Sequence, residues 1–186
     1  DREKLKDWLK NSNHNSAVIS WKLDGLTCVL TYDNGKLVQA ATRGNGTEGS
    51  DITHNARFFK GIPVTIPSKE HIVVRGEALM TFSEFGRVNA ETDGEYENPR
   101  NLASATIQML DANESRKRQI CFKAFELVAP EPVEDYRYDY TLGNKYCLKY
   151  QQDRLGFLEY LGFDVVDHDT CDSMDILAQS QILCDG

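Results

Sequence analysis

The chain has 186 residues, 40% hydrophobic and 27% charged, which suits one sizeable domain with a real core. A formal net charge of −8 excludes strong non-specific DNA binding by this piece alone, so any nucleic-acid grip must be local or supplied by other segments. With no run of about 18 apolar residues and no signal peptide, no membrane association and a cytoplasmic setting are expected.

Five cysteines (Cys28, Cys121, Cys147, Cys171, Cys184) are scattered and form no Cys-x-x-Cys, which points to reduced thiols rather than a disulfide framework or zinc site. The chain starts at Asp1 rather than methionine, so a piece of a longer protein is expected.

Residues 1–10 carry Leu5, Trp8 and Leu9 at helical spacing and predict a short amphipathic helix, followed by a polar loop over 11–15. Ala17 to Asp24 reads as a strand running into a turn at Gly25. Leu26–Tyr32 and Lys36–Arg43 are a strand pair joined by Asp33-Asn34-Gly35, whose Asn-Gly suits a type I′ turn. A glycine-rich loop, Gly44 to Gly49, follows. Ser50 or Asp51 can cap a short helix through Phe59.

Residues 62–66 are extended, and His71–Leu79 is a strand. Thr81-Phe82-Ser83-Glu84 has the capping-box pattern and starts a helix to about Ala90. Asn98-Pro99-Arg100-Asn101 opens a helix through Leu110, and Ile120–Val128 is a strand. Pro130-Glu131-Pro132-Val133 is a linker signal. Leu148, Leu155 and Leu158 predict a helix over 144–161, Phe163–Val166 a strand, and Ser173 the cap of a last helix.

The chemistry centres on Ser20-Trp21-Lys22-Leu23-Asp24-Gly25. Alternation along a strand would put Ser20, Lys22 and Asp24 on one side, over an apolar layer of Ile19, Trp21 and Leu23. Lysine ordinarily titrates near 10.4, but burial or neighbouring cations can free its lone pair for attack on phosphorus. The bland alternative is a solvated Lys–Asp pair at a strand edge.

Four further blocks offer partners. Thr42-Arg43-Gly44-Asn45-Gly46 can present backbone N–H groups and a cation to phosphate or ribose, or be a generic turn. Val74-Arg75-Gly76-Glu77 offers a strand-end carboxylate for ribose or metal, or a surface pair. Asn98-Pro99-Arg100-Asn101 offers helix-start amides and a cation for phosphate, or an ordinary cap. Phe125 can stack on a base, or sit in the core.

In their order and spacing these five blocks resemble the adenylation domain of bacterial NAD-dependent DNA ligases. The likeness runs from about Lys6 to Asp167 and includes Gly49-Ser50-Asp51-Ile52-Thr53 and Met109-Leu110-Asp111. The resemblance implies an α+β nucleotidyltransferase (ATP-grasp-like ligase) fold, antiparallel sheets flanked by helices. It implies a single adenylation domain over 1–186: an N-terminal helix and loop (1–14), a nucleotide-binding core (15–129), then a linker and C-terminal helices (130–186).

It further implies that Lys22 is adenylylated from NAD with release of nicotinamide mononucleotide. AMP then passes to the 5′-phosphate of nicked double-stranded DNA, and the nick is sealed, with Mg2+ in support. In that scheme Lys22 is the nucleophile and Asp24 orients it. Ser20, Leu23, Arg43, Glu77 and Phe125 surround the nucleotide, and Arg100 and Asn101 face phosphate or DNA. A monomer is expected.

Ser20 stands where the family has glutamate, Asn45 where it has aspartate, Gln108 where it has a second phosphate-facing arginine, and Phe125 where it has tyrosine. The family's Asp-Gly-Val-Val-Ile-Lys segment and a further lysine-bearing strand do not occur, and Cys184-Asp185-Gly186 would approach them. The expectation is therefore a partial or divergent domain that does not seal nicks alone. An ATP-using ligase or capping-type nucleotidyltransferase, and a non-catalytic nucleotide-binding relic, are the alternatives.

Overall fold

The computed structural model describes residues 4, 7, 8, 11, 16–44, 49–130, 137–139 and 144–172. The chain divides into two compact units, Asp1–Lys22 with Val166–Gly186, and Leu23–Val165.

In the first unit β1 (Ser16–Ser20) pairs antiparallel with β8 (His168–Asp172), Ser16 opposite Asp172 and Ser20 opposite His168. Of the N-terminal segment, Lys4, Asp7, Trp8 and Asn11 are helical. Leu5 and Leu9 lie outside the described residues, as does the cap expected at Ser173.

The second unit is built on a four-stranded antiparallel sheet in the order β3 (Lys36–Thr42), β2 (Leu26–Asp33), β4 (Ile72–Leu79), β5 (Cys121–Ala129). Period-two alternation does the sorting. Cys28, Leu30 and Tyr32 on β2, Ile72, Val74 and Ala78 on β4, and Phe122, Ala124 and Leu127 on β5 are all buried. The alternate residues Thr27, Val29 and Thr31 are half-buried. Asn34 and Gly35, both at positive φ (51° and 75°), make the expected turn between β2 and β3.

Four α-helical segments accompany the sheet before a last strand pair. α1 (Thr53–Ala56) is a single turn, shorter than the run to Phe59 expected from the sequence. Asp51 accepts from the Thr53 N–H and hydroxyl, which makes a local turn instead of a cap.

α2 (Phe82–Glu91) begins on half of the expected capping box. Thr81 accepts from the Glu84 N–H, but Glu84 turns away to Arg87 and to the Gln119 N–H. A charged donor outcompetes the backbone amide it would otherwise cap. α3 (Pro99–Ile107) is capped by Asn98, which accepts from Asn101 N–H at 2.9 Å. It stops before Leu110, which is exposed. α4 (Ala112–Ser115) is again one turn.

The helix expected over 144–161 is corrected. Residues Asn144–Tyr146 form β7, paired with β6 (Arg137–Asp139), and only Gln151–Tyr160 is helical, as α5. Hairpin pairing with β6 overrides the leucine spacing, which extended the helix back to a buried but non-helical Leu148. The strand expected at 163–166 is also corrected. Phe163, Val165 and Val166 are buried, yet in this segment only Val165 bridges, to Ala124 of β5. Regular pairing starts at His168.

Tyr32 is fully buried, donates to Pro63 O at 2.7 Å and meets Phe163 edge-on at 5.5 Å. Burial pushes its phenol well above the usual range. Tyr32→Phe keeps the ring contact and strands the carbonyl, so equilibrium urea unfolding should show a loss of about 1–2 kcal/mol. An unchanged midpoint would mean that water replaces the hydroxyl.

The Glu84 carboxyl lies below the usual carboxylate range because the Arg87 guanidinium, and then the Gln119 N–H, donate to it. A depressed folded-state value adds stability above the unfolded glutamate value of about 4.3 and loses it as pH falls through the lower folded value. Glu84→Gln should therefore cost on the order of 1 kcal/mol at pH 7 and flatten the acid limb of the stability–pH profile. Parallel acid limbs in the two proteins would remove Glu84 from that role.

Candidate functional site

Strand β1 ends at Ser20. One further bond, Trp21 N–H to Asp167 O at 3.3 Å, extends its ladder, and residues 21–24 then have no regular structure. The expected alternation of Ser20, Lys22 and Asp24 along one strand face is thereby corrected. The partner strand supplies no pairing past Trp21, Trp21 is exposed rather than part of an apolar layer, and Lys22 is itself exposed. Lys22 closes the first unit in sequence, and Leu23, half-buried, opens the second.

Gly25 starts the best-defined part of the second unit's site. An added Cβ there would lie 2.3 Å from Ala78 O, so only glycine lets the chain pass this close to β4. Its N–H donates to Glu77 Oε1 at 3.1 Å, and the Thr27 hydroxyl donates to Glu77 Oε2 at 2.9 Å. The buried Glu77 carboxylate thus grips the first residues of β2, with Thr27 directly opposite it in the sheet register. Burial, and then the Glu77 charge, push the Cys28 thiol up to about 12, so this cysteine is no nucleophile.

Arg43 follows β3, and its N–H donates to Thr27 O at 2.9 Å. The loop beyond it is drawn shut where Thr42 N–H donates to Ser50 O and Ser50 N–H donates to Thr42 Oγ1, both at 3.0 Å. Asn45 falls outside the described residues.

From the other side comes α3. Its N-terminal Arg100 pairs with Asp24 at 2.5 Å, both exposed. At its C-terminal end the buried Asn55 donates to Ile107 O (2.9 Å) and Met109 O (2.7 Å), which holds the segment carrying Gln108. The Gln108 amide donates back to Ser104 O and Oγ at 3.3 and 3.2 Å.

These elements enclose a cleft of about 780 Å³, lined by Gly25, Leu26, Thr27, Thr42, Arg43, Gly44, Gly49, Ser50, Arg100 and Gln108. Among the described residues its two charged groups are both arginines, beside hydroxyl, amide and glycine-backbone surface. In a chain of net charge −8 this is a local gathering of positive charge, of the kind that suits an anion. Among the described residues Arg43 has no ion-pair partner, whereas Arg100 shares its charge with Asp24.

Of the residues expected from sequence, Arg43 and Arg100 meet in this cleft. Asp24 joins through Arg100, and Glu77 through Gly25 and Thr27. The amide of Asn101 is committed to the Asn98 cap. Phe125 is half-buried at an irregularity of β5 opposite Arg75 and Gly76, and it does not line the cleft. Ser20 and Lys22 belong to the first unit. Sequence reasoning missed Leu26, Thr27, Gly49 and Ser50 as lining residues. Alternation along β2 could have flagged Thr27, but the pairing with Glu77 depends on a register between distant strands. Among the described residues no three His, Cys, Asp or Glu side chains gather as a metal site.

Residues 2–180 match the NAD-dependent DNA ligase adenylation domain family. Among curated relatives, a DNA ligase of Lachnoclostridium phytofermentans is 40% identical over 166 residues, 88% of this chain and 23% of that protein. One from Ruminiclostridium cellulolyticum is 40% identical over 175 residues, 92% and 24% respectively. One from Leptospira interrogans is 34% identical over 163 residues, 87% and 22%. The chain thus spans about a quarter of the length of the relatives it matches. With nearly its whole length matched, and Arg43 and the helix-start Arg100 meeting at one cleft, the chain belongs to the NAD-dependent DNA ligase adenylation domain family.

Proposed function

We propose that this chain is the nucleotide-transferring part of a DNA ligase, with a nucleotidyltransferase fold. Lys22 Nζ attacks the α-phosphate of NAD. A P–N bond forms, the pyrophosphate P–O bond breaks, nicotinamide mononucleotide leaves with the electron pair, and Nζ loses its proton to solvent. AMP then moves to the 5′-phosphate of a DNA nick, and attack by the 3′-hydroxyl seals the strand and releases AMP. The observation that carries this reading is the cleft whose charged lining, among the described residues, is Arg43 and Arg100.

Each residue takes a role that its chemistry suits. Arg43, without an ion-pair partner among the described residues, faces the nucleotide, and Glu77 accepts from ribose. Arg100 faces phosphate, and Asp24 acts through it, holding the guanidinium until an anion takes its place. Ser20 and Leu23 flank the nucleophile, Asn101 supports the phosphate-facing helix start, and Phe125 stacks on adenine. The protein acts as a monomer on DNA in replication and repair, in the cytoplasm. No helix among the described residues is long and apolar enough to cross a membrane.

Among the described residues no three His, Cys, Asp or Glu side chains gather, so a magnesium ion would be held chiefly by the nucleotide phosphates and would offset their charge. Gln108 favours a weakened grip on DNA, since its amide is satisfied within its own helix end and carries no charge.

Intact-mass analysis after incubation with NAD should find an adenylate on Lys22, if necessary with the flanking segments of the longer protein supplied. Lys22→Ala should abolish it, and an adduct that survives would sink the assignment. Fluorescence anisotropy at about 150 mM salt should show weak binding of the chain to a nicked duplex. Gln108→Arg should tighten that binding and steepen its salt dependence by about one counterion. Tight binding by the unaltered chain would point to a basic face other than this cleft.

A further inference from the structure

Glu77 is buried, yet among the described residues its carboxylate has two donors only, the Gly25 N–H and the Thr27 hydroxyl, one on each oxygen. An ionised carboxylate has about four acceptor sites, so two remain. Gly25 and Thr27 both line the cleft, and the carboxylate of Glu77, 8% exposed, is hydrogen-bonded to these two lining residues without lining the cleft itself. What completes an acceptor-only group so close to a cleft is a ligand donor, and a ribose hydroxyl is one.

The two grips differ in kind. Gly25 is held by the backbone, because its close approach to Ala78 O leaves no room for a side chain. Thr27 is a side-chain choice. It sits directly opposite Glu77 across the β2–β4 pair, where any strand-forming residue would fit the sheet. Valine there would fill the same volume and leave Oε2 without its donor, free to turn toward water or another group.

We infer that Thr27 is a positioning residue for ribonucleotide recognition: its hydroxyl fixes the Glu77 carboxylate so that a free lone pair meets a vicinal hydroxyl of the ribose. The inference rests on the nucleotide reading above and adds a residue and a specificity to it. Thr27 touches no ligand in this role. It sets how sharply Glu77 tells a ribonucleotide from a deoxyribonucleotide.

The test is calorimetric titration of the full 186-residue chain with AMP, 2′-deoxy-AMP and 3′-deoxy-AMP. The unaltered chain should prefer AMP over at least one deoxy analogue by about tenfold, the worth of one charge-assisted hydrogen bond. Thr27→Val and Thr27→Ala should bring that ratio close to one, mainly by weakening AMP, and Thr27→Ser should restore it. Thermal unfolding of each variant reports whether the fold survives, and with two different replacements one folding failure leaves the other to decide.

An unchanged ratio in Thr27→Val or Thr27→Ala overturns the role of Thr27 while leaving nucleotide binding intact. Equal weakening of all three ligands also overturns it, because it marks a general structural effect. Absence of AMP binding by the unaltered chain overturns the nucleotide reading and this inference with it.

Discussion

The antiparallel pairing of β2 with β4 is the constraint on which the second unit depends. Both strands lie inside the sheet, β2 between β3 and β4, and β4 between β2 and β5. A slip of one residue would move Cys28, Leu30 and Tyr32 out of the core and rotate Glu77 away from Thr27 in the same step. Packing and site are therefore set by one register. Burial of the apolar face, at roughly 25 cal/mol per Å² of apolar area, supplies the force that holds that register. The site's hydrogen bonds then exploit an alignment that the core has already made.

Charge is distributed in the opposite sense to the chain's average. Acidic residues exceed basic ones by 29 to 21, yet two arginines meet at the cleft. One is tempered by Asp24, and the other has no ion-pair partner among the described residues. An anion entering such a place must displace one carboxylate from one guanidinium, and both are exposed, so the exchange costs little. The hydroxyls and glycine backbone around them give a ligand directional partners without adding charge of either sign.

Much of this was legible in the sequence, and the failures share a cause. The β2–β3 hairpin, β4, β5 and the start of α3 follow from alternation, an Asn-Gly turn and an Asn-Pro cap, all local signals. The strand assigned at Ala17–Asp24 outran its partner beyond Trp21, and the one at Phe163–Val166 pairs only at the Val165 bridge; hydrophobic pattern alone does not reveal a missing partner. The helix extended back to residue 144 failed because β6 and β7 pair with each other. At the site, residue types that bind phosphate were readable. That Asp24 answers Arg100, or that Glu77 grips Gly25 and Thr27, was not, since those partners lie 76, 52 and 50 residues apart.

The neck formed by Thr42 and Ser50 has a consequence for how such a site can change over time. Two hydrogen bonds seal the base of the loop, and the Ile52 N–H bond to Ala40 O continues the seal along β3. Whatever is inserted, deleted or exchanged above that seal leaves the sheet below it undisturbed, because the backbone bonds at the base are already satisfied. The loop is in effect a socketed part. Its chemistry can be revised by mutation at little risk to the fold, so ligand preference can diverge among related proteins while the sheet stays constant.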